Sequence, residues 1–177
     1  MKQFFLNLMC VAAAIGAVPP AVGERPPAFT LMNLDGAPRL LSDAIGQGPV
    51  VLLVLRGFPG YQCPLCNRQV TEFVKNGPEF AKAGARVVMV YPGPPENVQA
   101  KAKEFVTGKN LPQHFELLVD PNYVFTNLYN LRWDAPNETA YPSAFVIDKK
   151  GLITFAKISN SHGGRATAAE VLAALAR

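Results

Sequence analysis

The chain has 177 residues, 17 Lys and Arg against 13 Asp and Glu, a formal net charge of +4 and 49% hydrophobic residues. That apolar content supports a packed core and excludes an intrinsically disordered chain. The charge is spread without a basic block, so nothing points to nucleic acid as a partner.

Residues 1–23 carry the pattern of a secretory signal peptide. Lys2 supplies the positive start, Phe4 to Val18 is mostly apolar, Pro19-Pro20 breaks any helix, and Ala21-Val22-Gly23 offers small residues before Glu24. The apolar run is shorter than the ~20 residues of a spanning helix, so stable membrane insertion is not expected. The expectation is export to a periplasm or the exterior, leaving residues 24–177 as one domain with two cysteines.

Past a short linker at Glu24-Arg25-Pro26-Pro27, Phe29 to Asn33 reads as an edge strand turning at Leu34-Asp35-Gly36, and Leu40 to Ile45 as a short helical turn. Val50 to Leu55 is a continuous apolar run, the mark of a buried strand. A helix from Cys63 onward places Val70, Phe73 and Val74 on one face, and Gly77-Pro78 interrupts it before a second piece at Glu79 to Ala83. Arg86 to Tyr91 is the next strand, Pro92 to Pro95 a loop, and Glu96 to Val106 a helix with Val98, Ala102, Phe105 and Val106 on one side. A strand at Phe115 to Val119 and a short helix at Tyr123 to Tyr129 follow. Ala144 to Asp148 and Leu152 to Ala156 flank Lys149-Lys150-Gly151 as a β-hairpin, and a helix runs from Thr167 to Leu175. This order describes an α/β three-layer sandwich, a central mixed sheet with helices on both faces.

The chemistry centres on Cys63-Pro64-Leu65-Cys66. Two thiols at i and i+3 on a helical turn lie within disulfide reach, and Pro64 suits the first helical position, which needs no donor. Cys63 is then the N-cap, facing unpaired amides of Leu65 and Cys66. Such a setting brings a thiol from ~8.5 to roughly 3.5–7.5. A zinc site would need four ligands, and the remaining candidates, His114 and His162, are far apart. Inert burial leaves the strand–turn–helix context unexplained. Thiol–disulfide or thiol–peroxide exchange is the expectation, with no metal, haem or nucleotide cofactor.

Three segments carry a family resemblance: Phe58-Pro59-Gly60-Tyr61-Gln62-Cys63-Pro64-Leu65-Cys66, Tyr141-Pro142-Ser143-Ala144-Phe145-Val146-Ile147-Asp148, and the closing hairpin and helix. Together they resemble the thioredoxin superfamily, and within it the peroxiredoxin-like redoxins of the alkyl-hydroperoxide-reductase and thiol-specific-antioxidant type. The resemblance implies a thioredoxin-like fold from about Pro27 to the C-terminus. The cysteine segment is a hybrid. By the peroxiredoxin pattern, Pro59 and Cys66 fall at the proline-to-peroxidatic-cysteine spacing, with Cys63 in the threonine place. By the thioredoxin pattern, Cys63 attacks and Cys66 resolves.

Where peroxiredoxins carry an arginine before the small-x-Phe-x-Ile-Asp strand, this chain has Pro142. The thioredoxin pattern implies a cis Tyr141–Pro142 bond beside the cysteines, whose neighbouring backbone pairs with substrate. Thioredoxin's buried acid has no counterpart between Pro49 and Cys66. Arg56 could lower a nearby thiol's pKa or pair with a surface carboxylate. His162 or Arg165, in the loop after the last strand, could assist proton transfer or peroxide binding, or Gly163-Gly164 could simply turn the chain. Tyr61, Phe58 and Trp133 are candidates for a docking rim, and Asn137-Glu138-Thr139 matches a glycosylation sequon.

The resulting expectation is an exported oxidoreductase cycling Cys63 and Cys66 between dithiol and disulfide, with thiol–disulfide exchange favoured. A peroxiredoxin-type thiol peroxidase using Cys66 or Cys63 is the alternative, and a non-catalytic binding module on the same fold a third. Partners implied are a protein disulfide or peroxide and a thiol reductant such as a thioredoxin-like donor.

Overall fold

The computed structural model describes residues 18–177. The expected signal peptide lies outside the described residues up to position 17. The elements are β1 (Thr30–Asn33), β2 (Pro38–Leu40), α1 (Leu41–Gln47), β3 (Val50–Val54), α2 (Pro64–Lys75), α3 (Gly77–Lys82), β4 (Arg86–Gly93), α4 (Val98–Val106), β5 (Phe115–Pro121), α5 (Val124–Leu128), β6 (Ser143–Ile147), β7 (Ile153–Ile158) and α6 (Ala168–Leu175).

One mixed sheet runs in the order β2-β1-β5-β4-β3-β6-β7. β3, β4 and β5 are parallel neighbours, while β6 lies antiparallel to β3 and to β7. Alternating side chains of the central strands divide between two cores, as the two-residue strand period requires. Val51, Leu53, Val87, Met89, Leu117 and Val146 pack under Val70 and Phe73 of α2, Ala102 and Phe105 of α4 and Val171 of α6. On the opposite face Val50, Leu52, Val88, Val90, Leu118 and Phe145 meet Leu41 of α1 and Phe125 of α5. Covering both faces is why these strands read as unbroken apolar runs.

The structure departs from expectation at the sheet margin. β2 occupies the edge, pairing Leu40 with Thr30 and Pro38 with Met32, so β1 is an inner strand and the helical turn begins one residue later than read. Pro38 donates nothing to a ladder, and the edge strand accommodates it. Pro92 and Gly93, read as loop, continue β4 against Asp120 and Pro121. The proposed cleavage point lies where the Gly23 amide donates to Ile153 O (2.8 Å) and the Ile153 amide to Glu24 O (2.9 Å).

Candidate active site

The ladder of β3 continues one residue beyond the strand, where the Leu55 amide donates to Val90 O at 2.9 Å. Gly57 then turns the chain at φ +63°, so close to the end of β4 that an added Cβ would sit 1.9 Å from Pro92 O. Only glycine tolerates both demands. Leaving this turn, the chain enters α2 with Cys63 as N-cap in extended conformation and Pro64 at the first turn. The two sulfurs therefore sit at the carboxyl end of the parallel strands. Cys66 is wholly buried and Cys63 is 3% exposed. Both are free thiols.

The Arg56 amide and the Arg165 guanidinium reach the sulfurs, and Tyr91 closes the end of β4 nearby. The Arg56 amide donates to Cys66 Sγ at 3.3 Å. Arg165 Nη1 donates to Cys66 Sγ at 3.4 Å and to Gln69 Oε1 at 3.1 Å, while its Nη2 reaches Cys63 Sγ at 3.8 Å. Tyr91, at the end of β4, donates its hydroxyl to Gln62 Oε1 at 2.7 Å. Burial is the chief push that takes the Tyr91 hydroxyl above its usual range.

The two thiols are driven apart in acidity. Chiefly a hydrogen bond from the Cys66 thiol, then the Cys66 amide, the Arg165 charge and the Arg56 side chain, bring Cys63 from 9.0 down to about 5 against an opposing cost of burial. No side-chain hydrogen bond formally closes the cap. The thiol neighbour thus contributes more here than the helix end that the sequence pointed to. Burial pushes Cys66 well above the usual thiol range, and its bond to Cys63 adds to this. The result is a Cys63 more acidic than an ordinary thiol beside a Cys66 less acidic than one.

Arg56 is 1% exposed, and it is not a surface residue as one of its two readings had it. Its Nε donates to Glu138 Oε2 (2.6 Å), Nη1 to the Tyr61 hydroxyl (2.6 Å) and Nη2 to Asn137 O (2.5 Å). Burial works against its charge, but these bonds and one toward Cys63 hold the guanidinium protonated. Thr139, the last residue of the sequon, is buried with its hydroxyl on Arg56 O. The other Glu138 oxygen accepts from His162 Nε2 at 2.7 Å, and the His162 carbonyl accepts from Arg165 Nε at 2.9 Å. Trp133 stacks on Tyr141 (centroids 4.8 Å apart) and lies 5.2 Å from His162. Glu138 is the member of this cluster that sequence reasoning missed. Its only local signal was the sequon, and its partners are 82 and 24 residues away in the chain.

The expected cis bond at Pro142 is corrected: among the described residues every peptide bond is trans. The backbone that would receive a substrate strand is also already paired. Tyr141 donates its amide to Leu131 O (2.8 Å) and accepts the Ser143 hydroxyl at its carbonyl (2.8 Å), and Pro142 O accepts the Ser159 amide (2.9 Å). Leu131 and Ser159 of the flanking segments, with the Ser143 hydroxyl of the same strand, thus engage these groups. Phe58 is 9% exposed and belongs to the core, whereas Tyr61 is 46% exposed with its hydroxyl tied to Arg56. A cleft of about 180 Å³ opens between Leu65, Arg68 and Gln69 of α2 and the loop from His162 to Thr167, with Arg165 in its wall.

Known proteins resemble this chain in sequence and in fold. A chloroplastic peroxiredoxin Q of Populus jackii is 32% identical over 131 residues, covering 74% of this chain but only 57% of that protein. The thiol-disulfide oxidoreductase ResA of Geobacillus thermodenitrificans is 29% identical over 134 residues, covering 75% of this chain and 67% of its own length. Among solved structures, peroxidoxin BcpB from Mycobacterium tuberculosis superposes with a TM-score of 0.74 at 24% identity, over 89% of this chain and 97% of that one. That superposition shows a thioredoxin-like, peroxiredoxin-type α/β fold. A model of the AhpC/TSA family matches residues 22–156, about three quarters of the sequence, and the chain belongs to that family.

Proposed function

We propose that the protein is an exported thiol peroxidase in which Cys63 attacks the peroxide and Cys66 resolves the product. The Cys63 thiolate attacks one peroxide oxygen, so that an S–O bond forms and the O–O bond breaks. The departing alkoxide or hydroxide takes up a proton from solvent and leaves as alcohol or water. Cys66 then attacks the Cys63 sulfenic acid, and its own proton leaves with the hydroxyl group as water, giving the Cys63–Cys66 disulfide. A thioredoxin-like dithiol donor restores both thiols through a mixed disulfide, supplying the two electrons the peroxide consumed.

The observation that carries this reading is the occupied backbone at Tyr141 and Pro142 beside an arginine that spans both sulfurs. Without a free edge, a peptide disulfide has no strand to join. A peroxide needs none, and the Arg165 cation beside the sulfurs offsets the charge that develops on the leaving oxygen. The second step suits the same substrate. Among the described residues no carboxylate bonds to Cys66, and a leaving hydroxide accepts the Cys66 proton more readily than a leaving thiolate does.

A second reading, thiol–disulfide exchange begun by Cys63, is favoured by the acidity order itself, with the nucleophile at the helix cap and the resolving thiol buried. Rapid mixing of the reduced protein with hydrogen peroxide and with an alkyl hydroperoxide, beside an insulin-reduction assay, separates the two. In the first turnover the wild type and Cys66→Ser should each consume one equivalent of peroxide, and Cys63→Ser none. Fast insulin reduction with negligible peroxide consumption would replace this reading by the second. First-turnover activity kept by Cys63→Ser and lost in Cys66→Ser would reverse the roles of the two sulfurs.

A further inference from the structure

We infer that Glu138, acting through His162, is a positioning residue that holds Arg165 against the sulfur pair; this rests on the reading of Cys63 and Cys66 as the reacting centre. Arg165 reaches the sulfurs from a loop whose geometry is adaptable, since Gly163 and Gly164 precede it and Gly164 adopts φ +65°. A guanidinium on such a segment loses its placement unless the segment is pinned. The pin is the path Glu138 Oε1 to His162 Nε2 (2.7 Å), then His162 O to Arg165 Nε (2.9 Å). Glu138 can serve as an anchor because its other oxygen is fixed on the buried Arg56 at 2.6 Å, and Arg56 is itself held by Tyr61 and Asn137. The carboxylate thus ties the rigid end of β3, 82 residues before it, to a loop 24 residues after it. Burial opposes its charge, yet the bonds from Arg56 and His162 keep the carboxyl below its ordinary range.

Two other restraints act on Arg165 and its loop. Gln69 Oε1 accepts from Nη1 at 3.1 Å, and the Ser159 hydroxyl bonds to the carbonyls of Ser161 and Gly163. Loss of the Glu138–His162 link therefore weakens the placement of Arg165 without abolishing it. The charged and titratable groups that face the sulfurs are Arg56, Arg165 and Tyr91, and only Arg165 is reached through this loop. Its displacement should make Cys63 less acidic.

The test uses the full chain, reduced, with His162→Phe, which keeps a ring beside Trp133 and leaves the Arg56–Glu138 pair intact. The readout is the pH profile of Cys63 alkylation by iodoacetamide, measured in a Cys66→Ser background so that one thiol reports. His162→Phe should slow alkylation about threefold on the acid limb of the profile, through an upward shift of the midpoint. Introduced into Arg165→Met, it should change nothing further, because the link acts only through that guanidinium. Glu138→Gln cuts the same link but also frees the Arg56 charge, which acts in the opposite direction, so its profile should move up by less than that of His162→Phe, with a fold preserved by circular dichroism. An unchanged profile in His162→Phe, or an equal shift with and without Arg165, would overturn the assignment. Alkylation needs no peroxide, so an inactive peroxidase with this pattern of shifts would refute the proposed function and leave the positioning role standing.

Discussion

Removing the Arg165 charge tests the electrostatics of the site most directly. In Arg165→Met the side chain keeps its length while the guanidinium 3.8 Å from Cys63 Sγ and 3.4 Å from Cys66 Sγ is lost. Two unit charges at that separation attract by about 1 kcal/mol in water and about 4 kcal/mol at an effective dielectric of 20. Arg165 is half-buried, so solvent screening places the effect in the lower part of that span. An expected loss of roughly 1–2 kcal/mol corresponds to about one pKa unit. Cys63, held at about 5 in the wild type, should then titrate near ~6. The direction follows from the thiolate being the reactive form. Alkylation falls as pH drops through the Cys63 value, and the variant enters that decline at higher pH. Its rate should be about tenfold below wild type under acidic conditions and nearly equal above neutrality. Arg165→Lys, a point charge on a flexible stem, should recover part of the shift. A pH profile in Arg165→Met that overlays the wild type, or moves to lower pH, would refute the placement of this cation as a support for the thiolate.

Two further substitutions address the scaffold beneath the sulfurs. Arg56→Met should destabilise the protein by about 3 kcal/mol in urea unfolding, because it strips Glu138, Asn137 O and the Tyr61 hydroxyl of their donor at a buried position; a loss below ~1 kcal/mol would mean that the Arg56–Glu138 pair is far weaker than its burial implies. Gly57→Ala should cost more than ~2 kcal/mol, combining a left-handed backbone with a Cβ placed 1.9 Å from Pro92 O. It should also break the bond from the Phe58 amide to Pro92 O, and an unaltered melting temperature would show that this turn is not the constraint it is taken for.

What was legible in the sequence follows from how much of the physics is local. β3, β4 and β6 are buried on both faces, and each contributes an unbroken apolar run that cannot be mistaken for surface. Pro38-Arg39-Leu40 has no such run. It is three residues at an open edge, with two exposed and one half-buried, and neither propensity nor period distinguishes it from a loop. Helix α6 announces its start with Thr167 and Glu170, which form the capping box seen in the structure. Helix α1 carries no side-chain cap, and its start was read one residue early. The cysteine pair stood out because its chemistry depends on an i, i+3 spacing along the chain. Glu138 did not, since its role depends on contacts with Arg56 and His162 that only the fold creates.

Pro142 shows where motif spacing stops being informative. A thiolate in a low-dielectric pocket needs a cation or several donors nearby, and that requirement attaches to a point in space, not to a position on one strand. In this chain the strand before Phe145 holds a trans proline with its carbonyl already bonded. The cation arrives instead from the loop after β7, and a second lies at the end of β3. Leaving His162 aside, the fixed charges around the sulfurs are Arg56 and Arg165 against Glu138, and Glu138 sits on Arg56. One positive charge therefore remains uncompensated until a cysteine ionises. The arginine beside both sulfurs is the one left over, so the site reaches electrical balance as a thiolate and carries excess positive charge as a disulfide. Such a balance favours the dithiol form over the disulfide.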